Sequence, residues 1–423
     1  MIHQHITTTE VVAVDVWVKA GSSVEPDAWI GMAHFLEHMI FKGTARLAPG
    51  DFDYLIENRG GMTNAATSQD YAHFFVTTAA AALEETLPHL AELLLHAAIP
   101  DAEFDRERDV VLEEINQTLD DPDWLGFQAL TESVYQRHPY GRPILGTPEV
   151  LLARSPAEMR QFHRAHYQPH NMTVVVVGDV DEERVLRAVE RSFADFPDPV
   201  DCPVAVATLE PPLDQIRRQE LGLPRLEQAR LMMAWLAPGA ANGLPADGDD
   251  SLPRQALPLT PLGREPLQDA YGLDILAAVL AEGRTSRLVQ ELREERHLVQ
   301  DISCSFSLQR DSSLFTITAW LEPQDLERVE AVICDRLDQL ATVPISAAEL
   351  ARCQRLLSND YAFSTETPSQ LASLYGYYQA IAQAEVAVTY PQRIQTFNGE
   401  DLRAIASDYL SPYRYAATVL QPL

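Results

Sequence analysis

The chain contains few cysteines and few basic residues for its length. It has 423 residues with four cysteines, and 32 Lys and Arg stand against 62 Asp and Glu, which gives a formal net charge of −30. The cysteines lie far apart and form no CxxC pair, which argues against a disulfide framework. A reduced, cytoplasmic protein is the simplest interpretation of this composition.

The shortage of positive charge limits the partners of the protein. A protein that binds nucleic acid needs a basic face to neutralise phosphates, and a chain of this charge repels polyanions. An anionic membrane surface is disfavoured for the same reason. The hydrophobic fraction of 46% is normal for packed domains, so the acidity does not indicate disorder. We therefore expect neither nucleic acid nor membrane as a partner.

Long apolar runs and targeting segments are also lacking. No uninterrupted stretch approaches the ~20 apolar residues that a membrane-spanning helix needs. The start of the chain, MIHQH, has neither the basic and apolar regions of a signal peptide nor an Arg-rich transit composition. The length allows about two to four domains, each able to bury its own core.

Apolar periodicity predicts alternating strands and helices in the first half of the chain. Val-rich stretches at residues 11–20 and 172–177 predict strands, and residues 63–78 predict a hairpin that turns at Ser68–Asp70. Helical spacing is found in several longer segments, at residues 29–41, 51–58, 79–99 and 101–119.

The two halves of the chain resemble each other weakly. Residues 155–177 align without a gap with residues 398–420 at an offset of 243, and Gly31 aligns with Gly272 at an offset of 241. The common order and the near-equal offsets predict a duplicated domain of about 200 residues.

From this repeat we expect an N-terminal domain at residues 1–200, a linker at 201–216 and a C-terminal domain at 217–423. A segment rich in Gly, Pro, Ala and Asp at about residues 238–266 is long for a loop inside a compact domain. It is therefore predicted to be a mobile surface insertion.

The segment His34-Phe35-Leu36-Glu37-His38 has the spacing of a metal-dependent hydrolase. On a helix, its three polar residues lie at i, i+3 and i+4 and share one face. Two imidazoles one turn apart can bind a single Zn²⁺. The carboxylate between them can take a proton from a water molecule that the metal acidifies. The order H-x-x-E-H is the inverse of H-E-x-x-H.

A surface helix that merely contains two histidines is the alternative interpretation. The flanking residues argue against it, because large apolar side chains surround both histidines: Met32, Phe35, Leu36, Met39, Ile40 and Phe41. Burying two imidazoles and a carboxylate in such a setting is costly unless they share a partner such as a metal ion. The sequence therefore favours a metal site.

A catalytic zinc site needs a further ligand, because such sites have three protein ligands and an open position. The acidic helix that follows offers Glu103, Glu107, Glu113 and Glu114. Glu107 and Glu114 are two turns apart and share a face, whereas Glu113 points elsewhere. Most such carboxylates are simply solvated. The residues alone therefore nominate Glu107 and Glu114 as a pair and do not choose the ligand.

These motifs resemble the pitrilysin/insulysin family of inverzincin zinc metallopeptidases. The similarity is found in HFLEHMIFKGT at residues 34–44 and in ERDVVLEEI at residues 107–115. The branch is the one that contains mitochondrial processing peptidase and its bacterial relatives. The resemblance covers nearly the whole chain. It implies an α+β fold of two duplicated domains, each an antiparallel-rich sheet covered by helices.

The resemblance assigns a role to each motif residue. It implies that His34, His38 and Glu114 bind one zinc ion per chain. It makes Glu37 the general base, and Glu107 matches a second acidic residue that supports the site without binding the metal.

The resemblance also implies how a peptide is held. Asn64 and Ala65 lie where the family presents a sheet edge to an extended substrate strand. In relatives, an Arg and a Tyr seven residues later reach the substrate from the second half. Arg293 matches the Arg, whereas Gln300 stands at the Tyr position. A glutamine can still donate a hydrogen bond to a developing oxyanion.

The second half lacks the metal motif, as the family's inactive domain does. At an offset of 241, the motif residues fall on Ile275, Ala278 and Val279. In this branch, the inactive half that faces a given zinc belongs to another subunit. Gln300 therefore leaves two alternatives, a homodimer with an altered oxyanion donor or a heterodimer with an inactive homologue that supplies an Arg–Tyr pair. The heterodimer is slightly favoured.

Two functions follow from these expectations. The first is a zinc-dependent endopeptidase that cleaves peptides or unfolded segments bound in extended form. The alternative is a non-catalytic structural or partner subunit of a peptidase-like complex. Such subunits usually lose part of H-x-x-E-H or the distal glutamate, and all four positions are present here. If part of the acidic excess lines the chamber, basic or amphipathic peptides are attracted, more strongly at low salt.

Overall fold

A computed structural model describes residues 1–203, 205, 208–243 and 265–423. Most of the insertion predicted at about residues 238–266 lies outside these ranges. All four cysteines are free thiols. In the described part of the chain, no helix is long and apolar enough to cross a membrane.

Strands and helices alternate along the chain, as the apolar periodicity predicts. The strands are β1 (Ile2–His5), β2 (Val11–Val18), β3 (Met62–Thr67), β4 (Ala72–Ala79), β5 (Met172–Gly178), β6 (Arg217–Leu223), β7 (Ala229–Pro238), β8 (Val299–Ser307), β9 (Ser312–Leu321) and β10 (Ala416–Pro422). The helices are α1 (Met32–Ile40), α2 (Asp51–Glu57), α3 (Leu83–His96), α4 (Asp101–Thr118), α5 (Pro122–Val134), α6 (Pro148–Leu152), α7 (Pro156–His166), α8 (Glu182–Ser192), α9 (Pro266–Ala281), α10 (Leu326–Thr342), α11 (Ala347–Phe363), α12 (Pro368–Ile381), α13 (Glu385–Ile394) and α14 (Gly399–Tyr409).

The chain divides into two compact units that are not contiguous in sequence. The first unit contains Met1–Gln117, Arg142–Ala207 and Ser364–Ala387, and the second contains Thr118–Gly141, Thr208–Phe363 and Val388–Leu423. The break near residue 207 lies inside the predicted linker. Each unit also contains one segment from the other half of the sequence. The helix α12 belongs to the first unit and α5 to the second, which differs from the contiguous domains that the repeat suggested.

The two units contain sheets of the same topology. The strand order is β1-β5-β2-β4-β3 in the first and β6-β10-β7-β9-β8 in the second. In each sheet the outer pair, β1 with β5 or β6 with β10, is parallel, and the remaining pairs are antiparallel. The predicted α+β class, with two duplicated domains that each contain an antiparallel-rich sheet covered by helices, is confirmed.

The aligned segments of the repeat form the same structure in both units. Ser155 caps α7 and Asn398 caps α14, and each forms a capping box with an acidic residue three positions later. Each helix leads into a strand, β5 or β10, that pairs with a neighbour on both sides. The offset of 243 residues thus relates one helix–strand pair to its duplicate.

The first sheet is buried on both faces. Successive residues of a strand point to opposite faces, so Val14 and Val16 of β2 face one side while Ala13 and Trp17 face the other. The valines join the larger core, which includes α1, α3 and α4. The opposite face packs against α12, where Gly376 allows close approach to the Trp17 indole. In the second unit, α5 packs in the same way on β6, β7 and β10.

Candidate metal centre

The helix α1 holds the H-x-x-E-H residues on its polar face. It begins after Gly31, whose φ of 92° lies in the left-handed region that glycine adopts without strain. Five apolar side chains on the other faces are fully buried and anchor the helix in the core: Met32, Phe35, Leu36, Met39 and Ile40. Each such burial stabilises the fold by roughly 1.5–3 kcal/mol. The helix is therefore a rigid support for its polar residues.

A buried carboxylate fixes the start of α1. Glu25 has no exposed surface, and its two oxygens accept hydrogen bonds from the backbone N–H groups of Gly31 (2.9 Å) and Ala33 (2.6 Å). Burial raises the pKa of Glu25 to about 8, while the two N–H donors and the Arg142 charge act to lower it. The sequence did not indicate this role of Glu25. Its partners Gly31 and Ala33 are six and eight residues further along the chain, a spacing that matches no helix-capping pattern.

His34, His38 and Glu114 meet at one point in the first unit. Their ligand atoms all lie within 4.8 Å of one another. His34 Nε2 is 3.6 Å from Glu114 Oε1, and His38 Nε2 is 3.5 Å from Glu114 Oε2. Nowhere else in the described residues do three His, Cys, Asp or Glu side chains converge in this way. Two imidazoles and one carboxylate are a ligand set of catalytic zinc sites, so these residues fit zinc.

The environment of His34 suits a metal ligand. Burial, and then the neighbouring His38, lowers the pKa of His34 to about 3, so the ring is neutral at pH 7. Only a neutral imidazole has a lone pair to give to a metal ion. Glu114 remains partly open to solvent, with its side chain 39% exposed. The site therefore combines a buried neutral ligand with an accessible anionic one.

Glu107 orients His38 rather than joining the three converging ligand atoms. Its Oε1 lies 3.0 Å from His38 Nδ1, and its Oε2 lies 2.6 Å from Lys42 Nζ. A carboxylate beside one ring nitrogen favours a proton there and leaves Nε2 free to bind a metal. Sequence reasoning nominated Glu107 but missed Lys42, which is one of only two lysines in the chain, the other being Lys19.

Glu37 lies on the same face of α1 and reaches towards β3. Thr67 Oγ1 donates a hydrogen bond to Glu37 Oε2 at 2.5 Å. Burial raises the pKa of Glu37, whereas the Thr67 hydroxyl and His38 act in the opposite direction. A carboxylate whose pKa is raised is a better proton acceptor and donor near neutral pH.

The strand β3 forms an edge of the first sheet. It pairs with β4 on one side, and no described strand pairs with its other side. Asn64 is exposed, and its Oδ1 accepts a hydrogen bond from the Ala65 N–H at 2.9 Å. An edge with unpaired backbone groups can accept an additional strand.

Arg293 and Gln300, the predicted contacts from the second half, both lie in the second unit. Arg293 belongs to a π-helical segment, Val289–Glu295, and its guanidinium contacts Glu294 and Asp301 at 3.1 Å each. Gln300 is exposed and lies in an irregularity near the start of β8. The two acidic partners of Arg293 were not anticipated from the sequence. The role of Arg293 and Gln300 towards a substrate stays a prediction.

Comparison with known families gives two matches along the chain. Residues 1–148 match the profile described as Insulinase (Peptidase family M16). Residues 155–357 match the profile described as Peptidase M16 inactive domain. The candidate metal ligands His34, His38 and Glu114 all fall in the first match.

Curated relatives resemble the chain over most of their length. An uncharacterized zinc protease of Streptomyces coelicolor is 27% identical over 412 residues, which cover 96% of this chain and 84% of the relative. Zinc protease PqqE of Helicobacter pylori is 27% identical over 417 residues, which cover 98% and 88%.

Solved structures share the fold. A protease from Helicobacter pylori superposes with a TM-score of 0.86 at 25% identity, covering 99% of this chain and 96% of that one. An M16-like peptidase from Alicyclobacillus acidocaldarius superposes with a TM-score of 0.83 at 19% identity, covering 100% and 95%.

Proposed function

The chain belongs to peptidase family M16, and on that premise we propose that it is a zinc-dependent endopeptidase. Its substrates would be peptides or unfolded segments bound in extended form. The observation that supports this proposal most directly is the convergence of His34, His38 and Glu114 beside Glu37 on one helix face.

In this proposal, His34 Nε2, His38 Nε2 and a Glu114 oxygen hold one zinc ion per chain. When bound, zinc would lower the pKa of a water molecule and polarise the scissile carbonyl. Glu107 keeps the proton of His38 on Nδ1, so that Nε2 faces the metal position. Lys42 balances the charge of Glu107 and keeps it in place.

Glu37 acts as the general base and then as the general acid. It takes a proton from the attacking water and passes it to the departing amine. Burial suits this role, because a carboxylate with a raised pKa accepts a proton more readily near neutral pH. The C–N bond of the peptide is thereby broken. The water supplies the oxygen of the new carboxyl group and the protons that complete the new amine.

An extended peptide would bind as an additional strand on β3. Backbone hydrogen bonds at Asn64 and Ala65 would hold it with little demand on its sequence, and the Asn64 amide would turn away from the Ala65 N–H. The net charge of −30 leads us to propose basic or amphipathic peptides as preferred substrates. A Lys/Arg-rich peptide should then be cleaved faster than a neutral one at low salt, and this advantage should shrink at high salt.

The remaining partner and the compartment stay predictions. We propose that the Arg–Tyr pair, or Arg293 and Gln300 of an identical chain, reaches the metal site from another subunit. A heterodimer with an inactive homologue and a homodimer differ in what co-purifies with the chain. Cytoplasmic localisation is a prediction from the composition of the chain.

Zinc content and hydrolysis of an unfolded, fluorogenic peptide test the proposal. The wild-type protein is expected to bind one zinc per chain and to cleave the peptide. Glu37→Gln should keep the zinc and lower kcat by roughly 10²- to 10⁴-fold. Glu114→Gln should lose zinc as well. The matched control is Glu113→Gln, because Glu113 is exposed and adjacent in sequence, and this variant should change neither quantity.

Two results would contradict the proposal. One is a wild-type protein that binds no zinc and cleaves nothing, either alone or with a candidate partner, which would favour the non-catalytic subunit. The other is hydrolysis that survives Glu37→Gln undiminished.

A further inference from the structure

One hydrogen bond joins the general base to the edge strand. We propose that Thr67 is a positioning residue that couples the docking of a peptide on β3 to the orientation of Glu37. This inference rests on the endopeptidase function proposed above, and it assigns a role to a residue that the sequence motifs did not single out.

The geometry of β3 points Thr67 at the helix. Along this strand, Thr63, Ala65 and Thr67 are half-buried, whereas Met62 and the other alternate residues are exposed. The half-buried face is the one towards α1, because Thr67 Oγ1 lies 2.5 Å from Glu37 Oε2. A hydroxyl that donates to a carboxylate at this distance forms a charge-assisted, strong hydrogen bond.

Glu37 depends on this bond for its orientation. In the described residues, Thr67 is the only hydrogen-bond partner of the Glu37 carboxylate. A glutamate side chain has three rotatable bonds, so its oxygens are poorly placed without such a contact. Thr67 engages Oε2 and leaves Oε1 free to accept a proton from water.

The position of Thr67 in the sheet connects this bond to the substrate. Thr67 is the last residue of β3 and pairs with Ala72 of β4 on one side of the strand. A peptide that adds to the other side would restrain β3 on both sides. The restraint would reach Glu37 through the Thr67 hydroxyl, so that binding energy from the docked strand would be used to orient the base.

Thr78 provides a matched control for removal of a hydroxyl. It lies on β4, the neighbouring strand, and is as buried as Phe74 and Val76 on its face. Its Oγ1 has no hydrogen-bond partner within the described residues. The isosteric change Thr78→Val therefore removes a buried hydroxyl of the same strand pair without affecting Glu37.

Steady-state hydrolysis of the zinc-loaded enzyme tests the proposal. Thr67→Val should lower kcat by about 10- to 100-fold and leave KM within about twofold, since a misplaced catalytic group costs this much. Thr67→Ser keeps the hydroxyl and should stay close to wild type, as should Thr78→Val. Zinc content should be the same in all four proteins. In a Glu37→Gln background, Thr67→Val should cause no further loss of kcat.

Two further measurements separate positioning from binding and from folding. The affinity of a fluorescent peptide for Glu37→Gln and for the Glu37→Gln, Thr67→Val double variant should be equal by anisotropy. Lengthening the substrate by residues that pair with β3 should raise kcat in the wild type but should lower only KM in Thr67→Val.

The proposal is overturned if Thr67→Val behaves like Thr78→Val, if Thr67→Ser fails to restore kcat, or if Thr67→Val loses zinc. If a longer substrate raised kcat equally in the wild type and in Thr67→Val, Thr67 would not couple peptide docking to Glu37. A zinc-loaded wild type that cleaves no peptide contradicts the proposed function itself and is thereby distinguishable from these outcomes.

Discussion

The two units have the same strand order, yet the helix that follows the second strand differs between them. In the first unit, α1 has nine residues and a polar face with His34, Glu37 and His38. In the second, α9 has sixteen residues, and the aligned Ile275 and Val279 are fully buried. The fold therefore does not require the candidate metal ligands. They are present in the unit where other side chains provide partners for them.

The aligned glycines of these helices also serve different purposes. Gly31 provides the left-handed backbone from which α1 starts. Gly272 lies inside α9, where a Cβ atom would be 2.3 Å from Ile405 Cδ1 and 3.2 Å from Phe397 Cε1. One glycine permits a turn and the other permits close helix packing. Identical residues at aligned positions of the two units therefore have different structural roles.

Placing histidines in the second unit should have the largest effect on stability of the substitutions that distinguish the two units. The double variant Ile275→His, Val279→His places two imidazoles at positions that are fully buried. We expect a loss of at least about 4 kcal/mol in the free energy of unfolding, because apolar burial is lost and polar groups are left without partners. Urea denaturation measures this loss, and zinc analysis should still give one ion per chain.

The exposed Gln268 of the same helix offers the control, since Gln268→His should change neither stability nor zinc content. A double variant that retains full stability and binds a second zinc would show that the second unit can accept a metal site.

Removing Lys42 should weaken zinc binding in the first unit. Lys42→Met leaves the buried Glu107 carboxylate without its charged neighbour and loosens its hold on His38. Residues that orient metal ligands typically contribute 10- to 100-fold to metal affinity, so we expect zinc to bind that much more weakly. Competition with a chromophoric chelator measures the change. Lys19→Met is the control, and equal affinities in the two variants would reject this role of Lys42.

The smallest effect on stability is expected from glycine substitutions in α12 and α5, the two helices that pack in the unit formed mainly by the other half of the sequence. A Cβ at Gly376 of α12 would lie 1.9 Å from the rigid Trp17 indole, whereas at Gly126 of α5 it would meet the flexible ends of Met232 and Leu420. Gly376→Ala should therefore destabilise the protein by about 1–3 kcal/mol through overpacking. Gly126→Ala should be nearly neutral, because the gain in helix propensity of about 1 kcal/mol offsets a small rearrangement. Equal midpoints in urea would contradict this difference.

Much of the local structure could be predicted from periodicity and turn residues. The strand predicted at residues 11–20 is β2, and the hairpin predicted to turn at Ser68–Asp70 is formed by β3 and β4. The helical spacing of His34 and His38 placed them on one face, which the structure shows. Such features depend on neighbours within one or two turns, so the sequence contains the information directly.

Contacts between distant segments could not be predicted in this way. Thr67 is 30 residues from Glu37, and Lys42 lies in the turn after α1 whereas Glu107 is on α4. The sequence of residues 368–381 gave no indication of the sheet that α12 covers. Contacts of this kind depend on how the elements pack and on which charges become buried. Neither produces a repeating pattern of residue types along the sequence.

The scarcity of lysine gives the Lys42–Glu107 contact a chemical consequence. Because the chain has only two lysines, an amine-selective acylating reagent can form at most two lysine adducts in addition to one at the N-terminal amine, which intact mass would resolve. Lys42 is 28% exposed and held by Glu107, so its reactivity depends on the order of the metal centre. Covalent labelling of a single amine would thus report, without any substrate, whether the metal centre is assembled in each molecule.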